Sequence, residues 1–149
     1  MSGEPSPDDT YRALHAATGG RLFTVTVLDR AAGLARRVYT SHPDTYPVSG
    51  TKPIQHNNWT RQVIDNREVF VANTVEEFAR YFPDHALIQS LGCGSAMNIP
   101  IIDGEVIGTV NILDKEQYFD DQRAAECVAE IRKHHSQLVQ AFGRIDLTG

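Results

Sequence analysis

The residues in this sequence that could perform covalent chemistry lie around Cys93, in the stretch SLGCGSAMN at residues 90–98. A cysteine between two glycines has exposed N–H groups beside it, which lower the pKa of a thiol and can hold an oxyanion. His85 or His56 could act as the base, and Asp84 could orient an imidazole. The other interpretation of Cys93 is a buried turn residue, because free cysteines are usually buried and inert.

A long irregular segment is predicted upstream of this stretch. Residues 42–55, HPDTYPVSGTKPIQ, contain three prolines and one glycine. Loops of this length are uncommon unless they cover a site. The segment therefore indicates a covered site, next to a predicted helix that contains Trp59.

The remaining patterns predict alternating helices and strands. Asp103-Gly104 predicts a tight hairpin turn, because such turns need residues that tolerate positive φ. Consecutive hairpins with helices between them favour an α+β fold over a doubly wound parallel sheet. The predicted elements are a helix from Asp8 or Asp9 to Thr18, strands at 22–29 and 34–41, a helix from Asn57 or Asn58, a strand at 69–73, a helix at 75–82, a helical turn capped by Asp84, strands at 96–102 and 105–114, and one long helix at 120–142.

Composition limits the classes of function. The chain has 149 residues, a net charge of −5 and 41% hydrophobic residues, which indicates one globular domain. Its 14 Lys and Arg are scattered, so a nucleic-acid partner is not expected. Cys93 and Cys127 form no metal-binding or disulfide pattern, and Cys127 is interpreted as a core residue. No segment has the length and polarity of a membrane span or a secretion signal, which predicts a cytoplasmic location.

The stretch SAMNIPIIDGEVIGTVNILD, residues 95–114, resembles the C-terminal hairpin of GAF domains. The resemblance implies a central antiparallel sheet of about six strands, with helices on one face and a small-molecule pocket on the other. It also implies that the N- and C-terminal helices pack together and form a homodimer. The domain would cover residues 8–142, with a disordered tail at 1–7 and a C-terminal tail at 143–149.

The resemblance identifies a scaffold and not a ligand. The bilin-binding motif of phytochromes is absent. The stretch NILDKEQYFDD is only weakly similar to the signature of cyclic-nucleotide-binding members. Another branch reduces free methionine sulfoxide with cysteines near this hairpin. Cys93 lies in about that region, but Cys127 has no evident resolving role. No cofactor and no metal are predicted.

In a GAF fold, residues 42–55, the Trp59 helix and residues 84–98 all border the pocket. Such a density of polar side chains exceeds what an apolar ligand needs, so the ligand is expected to be polar, and anionic or amide-bearing. Each candidate also has a structural interpretation: helix capping for Asp84, core packing for Trp59, and surface or structural hydrogen bonding for the others. The candidate ligand-binding residues are Tyr46, Lys52, His56, Trp59, Ser95 and Asn98, with His42 nearby, and the candidate catalytic residues are Cys93, His85 and Asp84.

The leading prediction is a stand-alone GAF-like domain that binds a small molecule and acts as a sensor or regulator through a partner chain. The alternative is a small enzyme that uses Cys93 to hydrolyse an amide-type bond or to carry out thiol redox chemistry. A third possibility is a dimerisation module whose pocket is filled by side chains.

Overall fold

The computed structural model describes residues 6–48 and 50–144. The strands are β1 (Leu22–Asp29), β2 (Leu34–Thr40), β3 (Lys52–Pro53), β4 (Phe70–Ala72), β5 (Ser95–Asp103) and β6 (Glu105–Asp114). The helices are α1 (Pro7–Thr18), α2 (Asn58–Thr60), which continues as a π-helical turn (Arg61–Asp65), α3 (Val75–Ala79), α4 (His85–Ser90), α5 (Asp121–Lys133) and α6 (His135–Gly143).

The six strands form one sheet in the order β3-β2-β1-β6-β5-β4, and every neighbouring pair is antiparallel. β5 and β6 are joined at Gly104, whose φ of 77° is the positive value that the Asp-Gly pair predicts. The predicted α+β class and the predicted sheet of about six strands are therefore confirmed.

Side-chain alternation gives the sheet two different faces. On one face, Phe23, Val25 and Met97 are fully buried in a core with residues of α1, α5 and α6. On the other face, polar side chains such as Asn98 and Asn111 occupy the alternate positions. The terminal helices pack together on the first face as expected.

The first helix begins earlier than the sequence predicts. Ser6 is its N-cap and Pro7 its first residue. The Ser6 hydroxyl accepts the N–H of Asp9 at 3.2 Å, and the Asp9 carboxylate accepts the N–H of Ser6 at 3.3 Å, which forms a capping box. The predicted disordered tail is thus wrong for residues 6–7, and its remainder, 1–5, lies outside the described residues.

The predicted long C-terminal helix is two helices, with a break at His134. The imidazole Nδ1 of His134 lies 2.9 Å from the carbonyl oxygen of Glu130, which an α-helix would offer to the N–H of residue 134. That N–H donates instead to Ile131, at 3.1 Å. A side chain that competes for the backbone carbonyl therefore explains the break. Of the predicted C-terminal tail, Gly143 belongs to α6 and residues 145–149 lie outside the described residues.

The segment predicted as irregular, 42–55, contains β3, which pairs with Leu34 and Ala35 of β2. Two residues are too few for the alternation that identifies a strand in a sequence. β3 nevertheless extends the sheet beyond β2 at the edge where the larger cavity described below opens.

Gly108 of β6 allows an unusually close approach of three elements. A Cβ atom built on it would overlap the carbonyl oxygen of Thr26 on β1 and come within 2.5 Å of the Phe142 ring on α6. Phe142 therefore rests directly on the backbone of the sheet. Among the described helices, none is long and apolar enough to cross a membrane.

Candidate functional site

Two adjoining cavities lie on the sheet face opposite α1, α5 and α6. The deep cavity has a volume of about 160 Å³ and the outer cavity about 430 Å³. They share four lining residues: Thr26, Arg37, Trp59 and Phe82. The deep cavity is completed by Thr24, Tyr46, Ile88, Asn98, Asn111 and Leu113, and the outer cavity by Leu28, Ala35, Lys52, Pro53, Ile54, Gln55, Asn57, Thr60, Ile64, Tyr81, Pro83 and Asp84.

The floor of the deep cavity is a chain of hydrogen-bonded side chains across three strands. Asn98 of β5 and Asn111 of β6 are register partners, and Nδ2 of Asn98 donates to Oδ1 of Asn111 at 2.7 Å. Nδ2 of Asn111 donates to the hydroxyls of Thr24 and Thr26 on β1, at 3.1 and 3.3 Å. The Trp59 indole N–H donates to Oδ1 of Asn98 at 2.9 Å. We call these five residues the amide ladder.

The amide ladder is a buried polar network. Asn98 is 3% exposed and Asn111 is 8% exposed. Amides at such positions cost free energy unless they are paired, and here each amide has partners within the network. The floor is therefore pre-organised, with its side chains already fixed by one another.

The side of the cavities is closed by a second group, which we call the latch: Arg37, Tyr46 and Asp84. The Tyr46 hydroxyl donates to Oδ2 of Asp84 at 3.0 Å, and Nη2 of Arg37 lies 3.4 Å from the same oxygen. The Arg37 guanidinium carbon lies 3.8 Å from the centroid of the Tyr46 ring. Burial, more than the Asp84 charge, raises the pKa of Tyr46 well above its usual range. The hydroxyl therefore stays protonated and acts as a donor.

Positive charge is in excess along the cavity linings. Arg37 lines both cavities and Lys52 lines the outer one, whereas Asp84 is the only carboxylate among the lining residues that the structure describes. Lys52 is exposed at the cavity edge. An incoming anion would therefore meet two cations and one carboxylate.

Cys93 lies behind the cavities and not in them. Its side chain is 3% exposed and packs in the apolar cluster that includes Ile88 and Ala96. Burial, and then the Asp114 carboxylate, raise the pKa of Cys93 to about 11, although Arg21 opposes the shift. This differs from the lowered pKa that the flanking glycines suggest, because desolvation outweighs the neighbouring N–H groups.

Four other candidates line neither cavity within the described residues. The Ser95 hydroxyl donates to the carbonyl of Asp114 at 3.2 Å. His85 begins α4, and its Nδ1 is buried without a hydrogen-bond partner in the described part of the chain. His56 is exposed, and Nδ1 of His42 lies 2.9 Å from the Ser41 hydroxyl. The structure thus gathers five of the predicted residues at the cavities: Tyr46, Lys52, Trp59, Asp84 and Asn98.

Sequence reasoning missed the residues that complete the site, namely Arg37, Thr24, Thr26 and Asn111. One usable signal was present: Asn111 interrupts an apolar run, with Val110 before it and Ile112 and Leu113 after it. A polar residue at such a position is either paired or functional. In residues 6–48 and 50–144, no three His, Cys, Asp or Glu side chains are grouped so that they could hold a metal ion.

Comparison with solved structures identifies similar folds at low sequence identity. The GAF domain of a two-component sensor histidine kinase from Bacillus halodurans has 14% identity and a TM-score of 0.68, covering 92% of this chain and 95% of that one. The GAF domain of a phosphoenolpyruvate-protein phosphotransferase from Coxiella burnetii has 18% identity and a TM-score of 0.68, covering 95% and 88%. Free methionine-R-sulfoxide reductase from Neisseria meningitidis has 17% identity and a TM-score of 0.62, covering 92% and 78%.

No curated protein matches the sequence. The sequence model of the GAF domain, however, matches residues 8–130, which is most of the chain and contains all of the cavity-lining residues. GAF domains are generally sensory domains that bind small molecules, and the open cavities on the face away from the terminal helices fit that description. This chain belongs to the GAF domain family.

Proposed function

We propose that this protein is a sensor or regulator that binds a small, anionic, amide-bearing molecule in the deep cavity and acts through a partner chain. The observation that carries the proposal is the amide ladder, which holds two buried asparagines on the floor of an open cavity. A dimerisation module with a filled pocket would have apolar side chains at these positions.

The hydrogen-bonding capacity left on the amide ladder supports an amide-bearing ligand. An asparagine offers two N–H groups and two lone pairs on its oxygen. Asn98 donates one hydrogen bond and accepts one, so one N–H and one lone pair remain. An amide group carries both a donor and an acceptor, so it can pair with what remains.

The charges support a ligand with a negative group. Arg37 presents a planar set of donors that suits a carboxylate, and Lys52 adds a second positive charge at the outer edge. Asp84 offsets one of these charges through its contact with Arg37. A carboxylate near Arg37 and Lys52 would neutralise the positive charge that remains.

Action through a partner is supported by the kinds of protein in which similar domains occur. Two of the similar structures are GAF domains of a sensor histidine kinase and of a phosphotransferase, which are larger signalling or transfer proteins. In this chain the same type of domain accounts for residues 8–130. Homodimer formation through the terminal helices stays a prediction.

The enzyme alternative receives less support from the site. The buried thiol of Cys93 has a raised pKa and lines neither cavity within the described residues. A redox version needs a second thiol in reach, but Cys127 packs in the helix-face core while Cys93 packs in the cluster on the cavity face. The two thiols therefore lie in separate cores on opposite faces of the sheet.

Trp59 makes the binding proposal directly testable, because it is the only tryptophan and its indole N–H is part of the amide ladder. Wild-type protein would be titrated with small carboxylates that contain an amide, such as N-acetylglycine and pyroglutamate, while tryptophan emission is recorded. We expect a saturable change that Asn111→Ala weakens about 5- to 150-fold, since it removes the hydrogen-bond partner that orients Asn98 and such a loss costs about 1–3 kcal/mol.

The matched control is Asn58→Ala, which removes an exposed asparagine from α2. This variant should bind as the wild type does. Absence of a saturable change with every compound, or equal weakening by both substitutions, would overturn the proposal.

A further inference from the structure

We infer that the ligand is amphipathic, with its polar head in the deep cavity and an apolar tail in the outer cavity. This inference rests on the proposed function, since it adds a second part to a ligand whose head the amide ladder binds. Three observations carry it: the different chemistry of the two linings, the volumes of the cavities, and the four residues that line both.

The two cavities differ in the chemistry of their linings. The floor of the deep cavity consists of amides and hydroxyls already paired with one another. The outer cavity has apolar walls, contributed by Leu28, Ala35, Ile54, Ile64 and Pro83. Its polar residues include Lys52 and Gln55, which are exposed. A wholly polar ligand would leave the apolar walls in contact with water.

The volumes indicate how much of a ligand each cavity can hold. Small-molecule sites have volumes of roughly 300–1,000 Å³. The deep cavity, at about 160 Å³, lies below this range and fits a compact group such as the amide head. The outer cavity, at about 430 Å³, provides the missing space.

The cavities adjoin along shared walls, which would let one molecule extend from one into the other. Thr26, Arg37, Trp59 and Phe82 line each of them. A ligand at this junction would contact the Trp59 and Phe82 side chains, which are partly exposed aromatic groups suited to an apolar chain. The Arg37 guanidinium at the same junction suits a charged group where the head and the tail meet.

A series of N-acetyl amino acids tests the inference, because every member has the same amide and carboxylate and only the alkyl chain on the carbon between them grows. The probes are N-acetylglycine, N-acetylnorvaline, N-acetylnorleucine and N-acetyl-2-aminooctanoate, with affinities measured by calorimetry and by Trp59 fluorescence. Full burial of a methylene tightens binding about fourfold, since it contributes about 0.8 kcal/mol. We expect N-acetylnorleucine to bind at least about tenfold more tightly than N-acetylglycine.

Ala35→Leu locates the tail, because Ala35 lines the outer cavity and not the deep one. It should abolish the gain with chain length and leave the affinity for N-acetylglycine unchanged. Ile54→Ser is a second, milder change to the same wall, and it should reduce the gain in part. Ala16→Leu, at an exposed position on α1 away from the cavities, is the matched control and should change nothing.

The outcomes separate this inference from the proposed function. If N-acetylglycine binds but affinity does not rise with chain length, or rises equally in Ala35→Leu, the amphipathic ligand is overturned and the polar site stands. If no member binds, both are overturned. If N-acetyl-2-aminooctanoate binds equally well to wild type and to Asn111→Ala, the polar head is misassigned, and the two-part ligand is overturned with it.

Discussion

The hydroxyl of Tyr46 lies 3.0 Å from Oδ2 of Asp84 and donates a hydrogen bond to it across 38 residues of sequence. Tyr46 belongs to the connection between β2 and β3, and Asp84 is the N-cap position of α4. Arg37 contacts both, since it stacks on the Tyr46 ring and pairs with the Asp84 carboxylate. The latch therefore ties a loop, a strand and a helix together at the side of the binding cavities.

Loss of the latch hydrogen bond should loosen the loop. Tyr46→Phe removes the hydroxyl and keeps the ring under Arg37, so we expect the free energy of unfolding in urea to fall by about 1 kcal/mol. The expected loss in stability is small because the Asp84 side chain is 41% exposed and water screens its charge. Limited proteolysis within residues 42–55 should also become faster.

Tyr39→Phe is the control for this change. Tyr39 lies on the adjoining strand, and its hydroxyl makes no hydrogen bond within the described residues. Equal loss of stability in the two variants would show that the Tyr46–Asp84 bond does not hold the loop.

Truncation of Asn98 should cost more than truncation of a surface asparagine. Asn98→Ala leaves the Trp59 indole N–H and Oδ1 of Asn111 without their partner, so we expect a loss of about 1–3 kcal/mol in the free energy of unfolding. Tryptophan emission should shift in the same variant. Asn58→Ala, at an exposed site, should do neither, and an unchanged emission spectrum in Asn98→Ala would contradict the amide ladder.

Cys93 should make the protein less stable at alkaline pH. The folded state raises the pKa of this thiol from 9.0 to about 11, so it favours the neutral form. The stabilisation is complete below about pH 9 and is lost as the pH rises through about 11. At one pKa unit per 1.4 kcal/mol, the largest effect is about 2–3 kcal/mol.

Cys93→Ala isolates this effect. Tyr11 and Tyr46 also have raised pKa values, but both proteins contain them, so their contributions cancel in the difference. Urea unfolding of wild type and variant should show a stability gap that narrows between about pH 9 and 11. A gap that widens would mean that the folded state lowers the thiol pKa, as an activated cysteine requires.

Gly108→Ala should destabilise the whole domain. The new methyl group would overlap the Thr26 carbonyl oxygen, which is backbone and can move only if β1 and β6 separate. We expect a loss of about 3 kcal/mol in the free energy of unfolding, at the upper end for overpacking. Gly143→Ala is the control, because nothing lies within 4 Å of a Cβ atom there. A similar loss in both variants would contradict the packing argument.

The elements that the sequence predicts correctly are those whose signals are local. The hairpin at Gly104 depends on a turn that only a few residue types adopt, and β1 has the alternation of a strand. The break at His134 was not predictable in this way, because it depends on a side chain that takes the carbonyl of Glu130. The two-residue β3 depends entirely on its partner strand β2.

The candidate site was predictable where loops and helix starts contribute to it, and less so where strands do. Tyr46 and Lys52 lie in a segment whose prolines and length already indicate a covered site. Arg37 lies in a strand with another arginine beside it, and the side chain that faces the cavity depends on register, which a bulge in the β1–β2 pairing shifts. The glycines beside Cys93 suggest a reactive thiol. The burial of that thiol depends on the folded chain, so the local sequence does not show it.

The close approach at Gly108 bears on how a ligand in the cavities could affect the last helix, α6. Thr26 lines both cavities, and its carbonyl oxygen and the Phe142 ring of α6 both lie against the space that a side chain at Gly108 would fill. Only the main chain of the sheet therefore lies between a bound molecule and the last helix. Residue 108 has no side chain between the two, so a shift of β1 at Thr26 would press on the Phe142 ring.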